Sequence, residues 1–183
     1  MNSFKIKLVV AACGFILLGS FFIWFFQYDL SYTYKTNDHI IWSRDVQIEP
    51  GDYIGSPPQG STARSSAFIG MTLISGKLNK LRAEAYFDRS QSWIKDTTHF
   101  DFKTDLAIDK LVFDIFQLHA AEFNKYIDST SNFREISFKE RVLVGDSIYS
   151  KAATVRKEAE SIKTLESEMY TKLRAKVDAA INE

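Results

Sequence analysis

Histidine, the side chain best suited to hold a metal or move a proton near neutral pH, occurs in this chain only at His39, His99 and His119. His119 and Glu122 stand three residues apart, a spacing that on a helix turns both toward one ion. A zinc centre takes about three protein ligands with an oriented outer shell, and no third partner follows at a matching interval. His119 is therefore read as core-facing or hydrogen-bonded, and neither a metal nor a cofactor is expected. His99, beside Phe100, is better placed for the surface, but no neighbour completes a mechanism. Asp109, Asp114, Glu122 and Asp128 read as carboxylates scattered over solvated helix faces. Acid and base partners need environments that drive their pKa values apart, which spacing alone does not reveal. The chain carries no Gly-x-Ser-x-Gly elbow, phosphate-cradling glycine loop or His-Glu-x-x-His motif.

The helix that carries these side chains is predicted to start near Thr104 and Asp105. Ile108, Leu111, Val112, Ile115, His119, Phe123 and Ile127 follow at helical spacing. Strands are predicted before it. Ile40, Trp42, Val46 and Ile48 alternate with polar neighbours, and residues 50–60, rich in Pro and Gly, form a loop. Residues 67–74 alternate again, as do Leu81, Ala83, Ala85 and Phe87 against Arg82, Glu84, Tyr86 and Asp88, which predicts an antiparallel hairpin. A last helical region, with a break expected near Gly145, carries Ile148, Val155, Ile162, Leu165, Met169, Leu173 and Val177. The seven-residue spacing of Ile148, Val155, Ile162 and Met169 would permit coiled-coil pairing. A long helix packed on its own domain is the preferred alternative.

The amino terminus is of another character. Residues 8–26, from Leu8 to Phe26, hold nineteen residues without a charge. At about 1.5 Å per residue they reach roughly 28 Å, close to the thickness of a bilayer's hydrocarbon core. Lys5 and Lys7 precede them and Asp29 follows, so the positive-inside rule puts the amino terminus in the cytoplasm. The expected organisation is a cytoplasmic terminus (1–7), a transmembrane signal-anchor helix (8–27), a juxtamembrane linker (28–37) and an extracytoplasmic domain (38–183). That domain is β-rich over 38–95 and helical over 104–183. A cleavable signal peptide is the alternative, although no A-x-A site follows the span. A lipoprotein signal ending at Cys13 has too short an apolar run before it. The fold class expected is α+β: an N-terminal transmembrane helix, a small antiparallel sheet, then two or more helices, the last long and amphipathic. Localisation follows as the bacterial inner membrane, single-pass, with a periplasmic or otherwise extracytoplasmic carboxy-terminal domain.

Charge excludes some partners. The chain has 23 Lys and Arg against 23 Asp and Glu, and removing Lys5 and Lys7 leaves 21 against 23 outside. Nucleic acid is not expected, because its binding needs concentrated positive charge.

The order Ile41-Trp42-Ser43, Pro57-Pro58, a strand over 68–74, Phe87-Asp88, Ser92-Trp93-Ile94 and a helix from Leu106 to Leu118 resembles a family of secreted bacterial zinc proteases of unassigned role. Their helix reads roughly L-A-H-E-Q-x-H-F-D-[LI]-x-E-[LY], and the resemblance covers about residues 40–126. It implies that Ile108 and Val112 stand at the two zinc-histidine positions and Asp109 at the catalytic glutamate. Aliphatic side chains offer a metal no lone pair, and Asp109 is a methylene shorter than the base that deprotonates bound water. No histidine follows His119 to supply the family's later ligand. The resemblance thus implies a retained fold, lost zinc proteolysis and apolar packing at the former metal floor, worth roughly 1.5 to 3 kcal/mol per buried aliphatic side chain.

The function expected is that of a membrane-anchored, non-enzymatic domain. It would touch an unidentified envelope protein, or its own copy, through the carboxy-terminal helix, along Ile148, Val155, Ile162 and Met169. Two alternatives are a hydrolase using a non-standard site around His99, His119 and Glu122, and a structural spacer.

Overall fold

The computed structural model describes residues 38–75, 81–98, 101–130 and 138–182. The expected anchor with Leu8, Phe26, Lys5 and Lys7, the juxtamembrane linker and His99 lie outside the described residues. Among the described residues no helix is long and apolar enough to cross a membrane.

The domain is α+β. Strands β1 (His39–Ile41), β2 (Ser65–Ser75) and β3 (Leu81–Ile94) form an antiparallel sheet with β3 in the middle. Helices α1 (Phe102–Ser129), α2 (Phe138–Glu160) and α3 (Glu168–Ile181) follow. The predicted hairpin is present, with Gly70 opposite Tyr86 and Thr72 opposite Glu84, and a bulge between Ser66 and Phe68. Alternation along β3 buries Ala83, Ala85 and Phe87, because successive side chains in a strand face opposite ways. They meet α1, whose Leu111, Val112, Ile115, Phe116 and Ala120 are buried in turn. Asp101 caps α1, accepting from the N–H groups of Lys103 and Thr104 at 3.1 and 3.2 Å, so the helix starts just before the predicted Thr104.

The first strand is shorter than its alternation predicts. Trp42 still donates its N–H to the Ala85 carbonyl at 3.0 Å, but Val46 then closes a turn on Ser43, and Ile48 is buried from a loop. The edge of β3 past Trp42 is instead filled by side-chain amides from α1. Asn124 accepts from the Ala83 N–H at 2.7 Å and donates to the Ala83 carbonyl at 2.9 Å, while Gln117 accepts from the Ala85 N–H at 3.1 Å. Two residues seven apart on one helix face thus replace a neighbouring strand and shield an edge that would otherwise pair with another chain. Asn124→Ala leaves both main-chain groups of Ala83 without these partners. It is expected to lower unfolding free energy by about 2 kcal/mol, read from the urea midpoint, while exposed Asn182→Ala leaves the midpoint nearly unchanged.

The carboxy-terminal half is broken, but not where the sequence predicts. Gly145 does not break α2, in keeping with the roughly 1 kcal/mol that one glycine costs a helix. The break comes at 161–167. There Ser161 donates its hydroxyl to the Glu158 carbonyl at 2.7 Å, and Ser167 caps α3 by accepting from the Tyr170 N–H at 3.2 Å. The proposed stripe is divided accordingly. Ile148 packs with Ala83, Ala120, Phe123 and Ile127; Ile162 joins the main core, with Val155 packed against it. Met169 alone of the four is exposed, so heptad spacing here records packing on the chain's own domain.

Candidate functional site

Helix α1 carries the positions that the resemblance assigns to a metal site. Ile108 is 8% and Val112 2% exposed, and both belong to the main core with Leu111, Phe113, Ile115 and Phe116. Where the family pattern has a catalytic glutamate, Asp109 accepts a hydrogen bond from the Tyr53 hydroxyl. Burial raises the Asp109 carboxyl to about 6, with Asp105 and Glu160 adding to the rise and Tyr53 and Arg156 opposing it. Burial, with the charge of Asp109 beside it, pushes the Tyr53 hydroxyl well above the ordinary tyrosine range. Tyr53 therefore acts as a fixed donor, and its ring meets Phe87 edge-on at 5.3 Å between centroids. The pair ties the loop around the short 3-10 turn Pro50–Asp52 onto α1.

One turn further on, Asp114 is 3% exposed. It accepts from Trp42 Nε1 at 2.7 Å, Lys110 Nζ at 2.5 Å and Arg174 Nη1 at 2.7 Å. A buried carboxylate with two cations and an indole donor is fully compensated, and it joins the chain after β1, α1 and α3 at one point. The solvated reading of Asp109 and Asp114 is thus corrected. It fits Asp128, which pairs with Arg82 at 2.7 Å on the surface. Two sequence signals pointed to Asp114: Lys110 one turn before it, and an isolated Trp42 whose indole N–H needs a partner when buried.

His119 and Glu122 do come together, Nδ1 to Oε2 at 3.2 Å, and Lys151 of α2 reaches Glu122 Oε1 at 2.7 Å. Lys151 above all, then His119, holds the Glu122 carboxyl below the usual carboxylate range. Among the described residues no three His, Cys, Asp or Glu side chains are placed to hold a metal ion. Glu122 and Lys151 instead border a groove of about 360 Å³ between α1 and α2, with Tyr126, Leu143, Val144, Ser147 and Ile148. Leu143 is 60% exposed there. A second groove, of about 410 Å³, lies between the end of α2 and α3, lined by Glu158, Glu168, Met169, Lys172, Leu173 and Lys176. Met169 is 51% exposed in it. Both grooves have apolar floors and charged rims, a form that suits an amphipathic segment of another protein.

No family model, curated protein or solved structure matches the chain.

Proposed function

We propose that this chain is a membrane-anchored extracytoplasmic domain, a degenerate relative of the zinc-protease pattern, that works by contact with envelope proteins rather than by catalysis. The observation that carries this reading is the packing of Ile108 and Val112 into the core while Tyr53 engages Asp109. A helix turned to this use has no metal ligands at those positions, and its carboxylate is bonded to Tyr53. The two amphipathic grooves supply contact surfaces in place of a cleft. The charge-free run of residues 8–26 supplies the anchor, and confinement beside a bilayer raises the effective concentration toward other membrane proteins.

A hydrolase built on His119 and Glu122 finds less support. A carboxylate neutralised by Lys151 and held below its ordinary range is a poor general acid, and among the described residues His119 is paired with Glu122 rather than with a nucleophile.

The reading is tested by crosslinking in intact cells, with a photoreactive side chain at Leu143 or Met169 of the full chain and at exposed Leu73 as a control. Adducts confined to the two groove positions are expected. Absence of any adduct from either groove, with the full chain monomeric in membranes, would remove the contact role.

A further inference from the structure

The chain enters the domain at one corner of the sheet. Arg89 of β3 donates its N–H to the Asp38 carbonyl at 2.7 Å and accepts from the Ile54 N–H at 3.2 Å, which sets Ile54 beside the point of entry. Phe68 stands on the other side of β3, opposite Asp88. With neighbouring strands about 4.8 Å apart, the backbones of Ile54 and Phe68 flank this corner at about 10 Å. Both side chains are exposed, by 53% and 39%.

What surrounds them is also suited to a bilayer. Residues 53–63 carry no charge, and residues 56–60 are exposed throughout. The Gly55 N–H donates to the Ser92 carbonyl at 2.8 Å, and a Cβ at Gly55 would collide with the Ser90 carbonyl, so the loop is pressed onto β3 and Ile54 is held in place. From Phe68 an aromatic row leads back to the entry point, with Tyr86 at 6.3 Å and His39 at 4.6 Å beyond it. Amphipathic rings favour the headgroup layer. The charges bordering the corner balance, Arg64, Arg89 and Lys95 against Asp38, Asp52 and Asp96, and Arg89 is paired with Asp52 at 3.2 Å. Attraction to anionic headgroups is therefore not what would hold it there.

From this we infer that the domain rests on its own membrane through this corner, with Ile54 and Phe68 seated in the phospholipid headgroup layer. The inference rests on the anchored reading proposed above and adds how the domain is oriented on the bilayer. The linker of residues 28–37 spans at most about 35 Å when fully extended, so the corner it leads into stays within reach of lipid at all times. Two apolar side chains alone bind a bilayer weakly, and confinement by the anchor makes the contact persist. Leu73 is as exposed as Ile54 and Phe68, but it lies five residues further along β2, about 17 Å away from the entry point.

The test uses the full chain with Cys13→Ala in vesicles of phosphatidylethanolamine and phosphatidylglycerol. Ile54→Cys, Phe68→Cys or Leu73→Cys carries an environment-sensitive fluorophore. Lipids with a nitroxide on the headgroup should quench the probe at Ile54 and Phe68 several-fold more than at Leu73, and added salt should leave that difference unchanged. Phe68→Asp should abolish quenching at position 54, and Ile54→Asp that at position 68. Neither should alter the melting temperature or the resistance of the chain to alkaline extraction.

Equal quenching at the three positions, or none at Ile54 and Phe68 in a chain that resists extraction, would overturn the inference while leaving the anchor in place. Quenching removed by salt would overturn it as well, since charge and not the apolar pair would then hold this corner. A chain released by alkaline extraction would remove the anchor itself, and both readings with it.

Discussion

Replacing Asp114 with alanine is expected to cost the domain about 3 to 5 kcal/mol, as removal of one partner from a buried ion network does. The carboxylate is almost wholly enclosed and receives Trp42, Lys110 and Arg174. Without it, the indole N–H loses its acceptor and two cations face each other in a part-buried space. Lys110 also lies 5.5 Å from the centre of the Trp42 ring, whose face attracts the cation but does not replace the carboxylate. Arg174 keeps Asp178 at 2.5 Å, but its buried Nε already has no hydrogen-bond partner. Helix α3 should therefore loosen first. Denaturation followed by tryptophan fluorescence and by far-ultraviolet circular dichroism is the check, with Asp128→Ala as the surface control. That control should change stability by about 1 kcal/mol or less. Equal effects of the two substitutions would mean that the buried network is not what holds α3.

Asp109→Asn is expected to act in the opposite direction, and only above mildly acidic pH. The folded carboxyl is raised to about 6, against about 3.9 in an unfolded chain. The folded state thus binds the proton more tightly. Ionisation of Asp109 costs nothing below the unfolded value, costs progressively more as pH rises toward 6, and reaches its full penalty beyond it. Asparagine still accepts from Tyr53 through its carbonyl oxygen but carries no charge to bury. The variant should match the wild type near pH 4 and exceed it by about 2 kcal/mol at pH 8.

Asp88 works the other way. Burial would raise it, but hydrogen bonds from Ser90 and Gln91 and the nearby His39 lower it overall. Its contribution is present above the unfolded value and is lost only in stronger acid. The difference between wild type and Asp109→Asn from pH 4 to 8 therefore isolates Asp109. A variant less stable than the wild type at pH 8 would show that the ionised carboxylate is needed by its neighbours.

What could be read from the residues, and what could not, divides along physical lines. Alternation along Ala83, Ala85 and Phe87 and the helical spacing of Ile108 through Ile127 are local signals, and each element they predict is present. The length of β1 was not legible, because what replaces it on the β3 edge is a pair of amides, Gln117 and Asn124, more than thirty residues away. The half-burial of Asp109 and the full burial of Asp114 were equally hidden. A carboxylate enters a core only with its donors, and here these come from Tyr53, Trp42 and Arg174, distant in the chain. Heptad spacing in the last third could not separate a surface stripe from packing on the same domain. The serines that end α2 and cap α3 decide it, turning Ile162 inward and leaving Met169 outside.

The most direct measurement is zinc binding by the full chain purified in detergent, by metal analysis and by titration calorimetry, beside a His119→Ala variant. With Ile108 and Val112 in the core, both proteins should bind no stoichiometric zinc and behave alike. A stoichiometric ion in the wild type that is lost from His119→Ala, accompanied by peptide hydrolysis, would contradict the non-catalytic account.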